Sequence, residues 1–208
     1  MPSILSSAVR VAPQQDRSSR RLAGFLDAAA ELFVEVGYEA ATMTAIAKRS
    51  GSSIGALYNY FPDKPAIALT LLNQYAQALE AHWKPLMEHA DNLSPREFAN
   101  LFIERITELA RQHPAYLRLI SAPVRLRRDA AAKRALRVMI ANAFRVKNPS
   151  LSDERSVLAA NVSLQMVKGM MTLYAEAEPK RKDLIVNEFK KLLTLYLRTI
   201  VPEEANAK

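Results

Sequence analysis

The sequence predicts an all-α fold, and three observations carry that prediction. Apolar residues recur at steps of three and four over most of the chain, as between Leu22 and Val36. The sequence contains neither the period-two alternation of a half-buried strand nor a glycine-rich phosphate loop. Prolines and short polar runs interrupt the chain at intervals that suit helices of ordinary length. We therefore expect three N-terminal helices followed by a larger helical region.

The first predicted helix runs from Arg20 to Val36 and ends at Gly37. Its apolar side chains fall on one stripe, which is typical of a helix that packs a single face against a core. The preceding residues, 1–18, are largely polar and lack the apolar centre of a secretory signal. We predict that they form a disordered arm.

The stretch from Thr42 to Lys64 has the pattern of two helices joined by a sharp turn. Thr42 can cap the first of these helices, and Ile46 lies on its apolar side. Gly51 can take the positive φ that a sharp turn between two helices requires, and Ser53 can cap the second helix. The stretch is therefore predicted to be a helix-turn-helix.

The second helix of this pair, Ile54 to Tyr60, is too short to be stable alone in water. It must be held by packing, for which we expect Ile54, Leu57 and Phe61 to be responsible. Its outward side chains are small or form hydrogen bonds, which suits close approach to base edges and phosphates. They are Ser53, Gly55, Ala56, Tyr58, Asn59 and Tyr60.

A competing motif lies within the same stretch. Residues 51–55 satisfy G-x-S-x-G, the nucleophile elbow of hydrolases. That elbow requires a buried strand before the serine, whereas residues 42–50 have a helical pattern. We therefore favour a capped turn over a hydrolase site.

A long helix should follow Pro62, with Asp63 as its cap and Pro65 in its first turn. Pro85 lacks a backbone donor, so this helix should kink or end near Trp83.

Further helices are predicted at the later boundaries. Ser94 and Glu97 have the spacing of a capping box, and their helix should stop before Pro114. The remaining segments are a helix at 115–121, a helix at 125–144, a helix from Ser152 or Asp153 to about 177, a helix at 182–200, and a disordered tail at 202–208.

The net charge is +8, from 29 Lys and Arg against 21 Asp and Glu, which favours an anionic partner. Residues 1–64 contribute little, with seven basic and six acidic side chains, whereas residues 96–147 hold twelve basic and four acidic ones. The excess includes the basic run 125–137. This run is either a solvated face or a surface that receives an anionic ligand or partner.

Several kinds of chemistry are disfavoured. The absence of cysteine removes disulfides, thiolate catalysis and cysteine zinc sites, and it is compatible with a cytoplasmic protein. No apolar run is long enough to span a membrane. His82, His89 and His113 lack metal-ligand spacing, and no carboxylate pair stands out as an acid and a base. We expect no metal, no cofactor and no enzymatic activity.

The ordered positions T-x-x-x-I-A-x-x-S-G-x-S-x-G-A-L-Y-N-Y-F-x-x-K, from Thr42 to Lys64, resemble the DNA-binding motif of the TetR family of transcriptional regulators. The resemblance implies a helix-turn-helix DNA-binding domain at 19–64 and a helical ligand-binding and dimerisation domain at 65–201. It further implies a repressor that binds a palindromic double-stranded DNA operator as a homodimer, and that a small-molecule effector releases.

The resemblance also implies contacts, position by position. Those to phosphate would come from Thr42, Thr44, Ser53, Tyr58, Tyr60 and Lys64, and those to bases from Gly55, Ala56 and Asn59. Asn59 stands where histidine is common in the family, so it could read either a base or a phosphate.

A ligand pocket and a dimer interface are the other two features that the family implies. Candidate pocket residues, each of which could equally be ordinary core, are Trp83, Phe98, Phe102, Tyr116, Met139, Asn161, Gln165, Met166 and Met170. The last two helices are apolar around much of their circumference, which fits either a four-helix dimer interface or a thick monomeric core. An α-helical enzyme and a helical adaptor that uses its helix-turn-helix for protein contacts remain as rival functions.

Overall fold

The computed structural model describes residues 12–122 and 130–201, and all regular secondary structure within those ranges is helical. The all-α prediction is confirmed. One turn of 3₁₀ helix occupies Ala90–Asn92. The α-helices of the described residues are α1 (Ala12–Ala40), α2 (Met43–Arg49), α3 (Ile54–Tyr58), α4 (Lys64–Glu88), α5 (Pro95–Gln112), α6 (Pro114–Ile120), α7 (Ala130–Lys147), α8 (Asp153–Glu176) and α9 (Pro179–Ile200).

The chain divides into two compact units between Ala68 and Leu69. The first, called here the head, contains α1 to α3 and the start of α4. The second, called the body, contains the rest of α4 and α5 to α9. Among the described residues, no helix combines the length and the apolar character needed to cross a membrane.

In the head, α1 begins at Ala12, eight residues before the predicted start at Arg20. The predicted arm at 1–18 is thus helical from residue 12 onward, and its residues 1–11 lie outside the described part of the chain. The helical backbone is interrupted at Gly37, where φ is 80°. Because glycine has no Cβ, it takes this conformation without steric cost, as the sequence predicts.

The core of the head forms where α1 packs against α2 and α2 packs against α3. Phe25 and Phe33 of α1 and Ile46 of α2 are fully buried. Leu57 and Phe61 hold α3 as predicted, since both are buried. Ile54 is 38% exposed, so it contributes less to this packing than Leu57 and Phe61 do.

In the body, α4 continues through Pro85 to Glu88. The helix therefore does not end near Trp83, and the other predicted outcome, a kink there, stays a prediction. A proline inside a helix costs about 3 kcal/mol. Trp83, Leu86 and Met87 are all buried on the two sides of Pro85, and burying each large apolar side chain contributes about 1.5–3 kcal/mol. This packing offsets the cost of the proline.

The body is built from pairwise packing of α5 with α9, α7 with α8, and α8 with α9. The predicted capping box of α5 is confirmed, because the Ser94 hydroxyl accepts from the Glu97 amide at 3.2 Å and the Glu97 carboxylate accepts from the Ser94 amide at 2.8 Å. Ser152 caps α8 as expected, accepting from the Arg155 amide at 3.2 Å.

The other boundaries of the body differ slightly from those predicted. The helices α6 and α9 begin on Pro114 and Pro179, residues that the sequence analysis places before the helices. Proline is well tolerated in the first helical turn, where no backbone donor is needed. The helix α7 begins at Ala130 and ends at Lys147, and residues 125–129 of the predicted helix lie outside the described residues.

Candidate nucleic-acid interface and ligand cavity

Two hydroxyl side chains cap the helices of the helix-turn-helix. The Thr42 Oγ1 accepts a hydrogen bond from the Ala45 amide at 3.1 Å, and the Ser53 Oγ accepts one from the Ala56 amide at 3.2 Å. Accepting these bonds fixes the start of each helix. A hydroxyl that accepts still has its own O–H to donate, so each cap can also bind a phosphate oxygen.

Gly51 makes the turn between α2 and α3, with φ at 66°. The Gly51 amide donates to the Lys48 carbonyl at 3.2 Å, and the Ser52 amide donates to the Ala47 carbonyl at 3.0 Å. These bonds satisfy the carbonyls at the end of α2 in the manner of a glycine C-terminal cap. Backbone hydrogen bonds close the turn, and the segment directly before it is the helix α2 rather than the strand that a nucleophile elbow requires.

Arg49 fastens α2 to α1. Its guanidinium donates to both carboxylate oxygens of Glu35, at 2.5 and 2.7 Å, and also lies 3.5 Å from Glu31. The hydrogen bond from Arg49 lowers the pKa of the Glu35 carboxyl. Arg49 is therefore engaged within the head by a two-pronged ion pair, a geometry that arginine is suited to form.

Most of the predicted DNA contacts share an accessible surface on α2 and α3. Tyr58 is 52% exposed. Asn59 ends α3 as its C-terminal cap residue. The exposed members of the predicted set are Thr42, Thr44, Ser53, Gly55, Tyr58 and Asn59, and the partly buried members are Ala56, Tyr60 and Lys64.

Tyr60 is tied to α1. Its hydroxyl lies 3.2 Å from the Ser18 hydroxyl, and its ring meets the edge of Phe25 with 5.4 Å between centroids. Either hydroxyl can donate in this bond, and the Tyr60 O–H remains available to a phosphate oxygen when Ser18 is the donor.

Lys64 is placed differently from what the sequence analysis expects. Its ammonium donates to the carbonyls of Tyr38, Glu39 and Ala41 at 2.7, 2.9 and 2.8 Å, and lies 4.5 Å from the centre of the Tyr38 ring. An ammonium has three donors, so all of them are engaged. The geometry assigns Lys64 to the joint between the end of α1 and the start of α4 rather than to a phosphate contact.

The body contains a cavity of about 650 Å³, a size typical of small-molecule sites. Of the predicted pocket residues, Trp83, Tyr116 and Gln165 line it. The Trp83 indole donates to the Phe102 carbonyl at 3.0 Å and stacks on the Phe102 ring with 4.2 Å between centroids. The cavity is lined by Leu72, Leu79, Trp83, Ile106, Tyr116, Leu119, Ile120, Ala122, Lys133, Leu136, Arg137, Leu164, Gln165, Val167, Lys168, Met171 and Thr172.

The other predicted pocket residues are not among the lining residues. Phe98 and Phe102 are buried behind the wall in an aromatic cluster, and Met170 is fully buried. Met139, Asn161 and Met166 are partly exposed on α7 and α8. The sequence analysis missed Lys168, although a lone lysine among the apolar residues of α8 was a usable signal.

A second groove, of about 670 Å³, runs between α5 and α9. Two of its lysines have acidic partners, because Lys190 pairs with Glu104 at 2.6 Å and Lys191 pairs with Glu188 at 2.8 Å. Both lysines of this groove therefore have acidic partners, whereas no ion pair is found for Lys133 or Lys168 of the cavity among the described residues.

Comparison with known proteins identifies the family. The sequence profile described as "Bacterial regulatory proteins, tetR family" matches residues 25–71. The profile described as "Tetracyclin repressor-like, C-terminal domain" matches residues 94–197, which is half of the chain. The chain belongs to the TetR family. The TetR-family match at 25–71 contains all of α2, the turn and α3, so the predicted helix-turn-helix is confirmed.

Relatives of this TetR-family chain include the HTH-type transcriptional repressor KstR of Rhodococcus jostii, 30% identical over 101 residues, which are 49% of this chain and 44% of KstR. The matched stretch spans less than half the length of each curated relative. A TetR-family regulator from Streptomyces coelicolor has a TM-score of 0.63 at 20% identity, covering 87% of this chain and 99% of that one. Thermus thermophilus FadR, a TetR-family repressor in complex with lauroyl-CoA, has a TM-score of 0.60 at 23% identity, covering 90% and 98%.

The TetR family consists of DNA-binding transcriptional regulators. The structural likenesses show the shared fold.

Proposed function

We propose that this protein is a ligand-responsive repressor that binds a palindromic operator as a homodimer and is released by a small-molecule effector. The observation that carries the proposal is the exposed polar surface of α2 and α3, held on a buried core by two capped helix starts. The protein would act on double-stranded DNA in the cytoplasm.

The proposed DNA contacts divide by chemistry. Hydroxyl groups of Thr42, Thr44, Ser53, Tyr58 and Tyr60 donate to phosphate oxygens and fix the position of the head on the duplex. Gly55 and Ala56 present little side chain, so α3 can approach the base edges closely, and the Asn59 amide can pair with a base. Lys64 is withdrawn from this set, because its ammonium is engaged by three carbonyls.

The proposed dimer rests on apolar side chains that α8 and α9 leave outward. Leu158, Leu173 and Leu192 are 49%, 50% and 46% exposed. They lie on stripes at helical spacing, called here the outer stripes, in which the other side chains are half-buried. The outer stripes are Leu158, Val162, Met166 and Leu173 on α8, and Ile185, Phe189, Leu192 and Tyr196 on α9.

A second copy of the chain is the occupant that fits the outer stripes. Four such helices from two copies would form a bundle with a continuous apolar centre. Two heads in a symmetric dimer read two half-sites about 34–36 Å apart, which explains why the operator would be palindromic.

Release would follow from differential binding. An effector in the body cavity lowers operator affinity only if it binds the DNA-incompetent conformation more tightly. The helix α4 is the element through which we expect the coupling to pass, since it begins in the head and lines the cavity through Leu72, Leu79 and Trp83.

The test is selection of bound duplexes from a random pool by purified full-length protein, followed by binding measurements at several salt concentrations. We expect a palindrome. Tyr58→Phe should weaken binding to all sequences, whereas Asn59→Ala should change sequence preference at one position of each half-site. An adaptor or an enzyme would select no sequence, and that result would overturn the proposal.

A further inference from the structure

The body cavity has an unusual charge distribution for an apolar site. Lys133 and Arg137 of α7 and Lys168 of α8 all line it. Of the described residues that line the cavity, none is acidic. A cleft with charges of one sign and low-dielectric walls concentrates the opposite charge.

These three cations also lack acidic partners within the described part of the chain. The ion pairs formed there engage other basic residues, including the neighbouring Arg145, which pairs with Asp153 at 2.6 Å. Lys133 and Arg137 are four residues apart on one helix, so they face each other and repel. Lys168 adds a third positive charge to the lining of the same cavity.

Most of the other lining residues are apolar, and Tyr116, Gln165 and Thr172 add polar groups. Its deep wall consists of buried side chains from α4, α5, α6 and α8, and the partly exposed Lys133 and Arg137 and the exposed Lys168 are its charged members. The buried wall residues are Leu72, Leu79, Trp83, Ile106, Leu119, Val167 and Met171. A ligand that satisfies both parts needs an apolar body and a negatively charged head.

We propose that the effector is an amphipathic organic anion, with its apolar chain against the Trp83 wall and its acidic group among Lys133, Arg137 and Lys168. This inference rests on the proposed effector role of the cavity, and it adds the chemical class of the ligand. The charged group is a carboxylate, sulfate or phosphate, since each accepts hydrogen bonds from ammonium and guanidinium groups.

Trp83 provides the readout, because it is the single tryptophan of the chain and lines the cavity. Dodecanoate, dodecyl sulfate, dodecanol and dodecyltrimethylammonium are titrated separately against the full-length protein at micromolar concentration. The two anions should change the Trp83 fluorescence with a Kd at least tenfold lower than that of the alcohol, and the cation should bind weakest. Shortening the carboxylate by one methylene should raise Kd by about fourfold, since each buried methylene contributes about 0.8 kcal/mol.

Matched variants distinguish the effect of the cavity cations on ligand binding from the effect of the protein's total charge. The triple variant K133Q/R137Q/K168Q should lose about tenfold or more of its affinity for dodecanoate and keep its affinity for dodecanol. The control K180Q/R181Q/K191Q removes the same charge from α9 and should bind both as the original protein does. K133R/K168R should retain the preference for the anion. Circular dichroism and thermal melting confirm that each variant is folded.

Equal binding of dodecanol and dodecanoate, or equal loss in the two triple variants, would overturn the inference. The operator experiment keeps the two proposals apart. If a neutral ligand fills the cavity and releases the operator, the proposed function stands and the anionic class is wrong. If dodecanoate binds through the three cations but no palindrome is selected, the ligand class stands and the repressor proposal is wrong.

Discussion

The ammonium group of Lys64 faces three backbone carbonyls at the end of α1. Those carbonyls follow the break at Gly37, where the helix no longer supplies partners for them. The Lys64 ammonium donates hydrogen bonds to these carbonyls. Because Lys64 is also the first residue of α4, one side chain connects two helices of the head. The phosphate contact implied for Lys64 is carried over from the family motif, and only the three-dimensional structure shows that its donors are engaged.

We expect Lys64→Met to reduce the free energy of unfolding by about 1–3 kcal/mol, because three carbonyls lose a charged donor. Operator affinity should fall, while the slope of log affinity against log salt stays unchanged, since no phosphate contact is lost. Thermal melting and binding titrations at several salt concentrations measure both effects. Lys48→Met on the surface of α2 is the control for stability. A slope smaller by about 0.9 in Lys64→Met would instead assign Lys64 to phosphate.

Side chains differ in how far their roles follow from sequence. Thr42, Ser53 and Ser94 act as predicted because a cap depends on neighbours within three residues. Lys168 approaches the cavity that Lys133 and Arg137 also line only through the packing of α8 against α7. No local sequence pattern predicts that these three side chains line one cavity, so only the structure shows how the cavity is charged.

Helix boundaries also differ in how well the sequence predicts them. Glycine and capping residues mark their boundaries well, because those signals act through the backbone of the same segment. Prolines mark helix boundaries less well. Pro85 lies inside α4, and Pro179 is the first residue of α9 rather than a residue that precedes it. Whether a proline ends a helix depends on the burial of the residues around it, which is a tertiary property.

The turn between α2 and α3 depends on Gly51. We expect Gly51→Ala to destabilise the head by about 1–2 kcal/mol, because a side chain strains the backbone at a φ of 66°. Gly24 provides a matched control, since it lies within α1 without a positive φ and a Cβ added there would meet open space. Gly24→Ala should stabilise by about 0.5–1 kcal/mol. Equal effects in thermal or urea unfolding would contradict the assigned role of the turn.

The contact between α1 and α2 should depend on pH through Glu35. Arg49 holds the pKa of this carboxyl below its ordinary value of 4.5. A lowered carboxyl pKa stabilises the fold above the ordinary value, and that contribution is lost as pH falls through the lowered one. The original protein should therefore lose more stability below about pH 4.5 than Glu35→Gln does, with melting temperature as the measurement. Arg49→Gln should abolish the difference; if the difference persists, another group causes it.

At the scale of the whole molecule, the outer stripes of α8 and α9 should control assembly. Leu192→Lys places a charge in the proposed apolar centre, so we expect monomers in sedimentation experiments and a loss of operator binding. Leu184→Lys is the matched control, because Leu184 is 64% exposed on the same helix but lines the α5–α9 groove. A dimer that survives Leu192→Lys would place the interface elsewhere.

The engagement of Arg49 and Lys64 inside the head has a consequence for how the protein searches a chromosome. Attraction to DNA of any sequence comes mainly from free positive charge. Here one arginine is matched by carboxylates, and one lysine is matched by carbonyls. Because both side chains are held inside the head, neither contacts phosphate, and the head should hold arbitrary sequence less tightly than its number of basic residues suggests. Recognition then depends more on hydroxyl and amide contacts at the right site, and a larger free pool remains available to meet the effector.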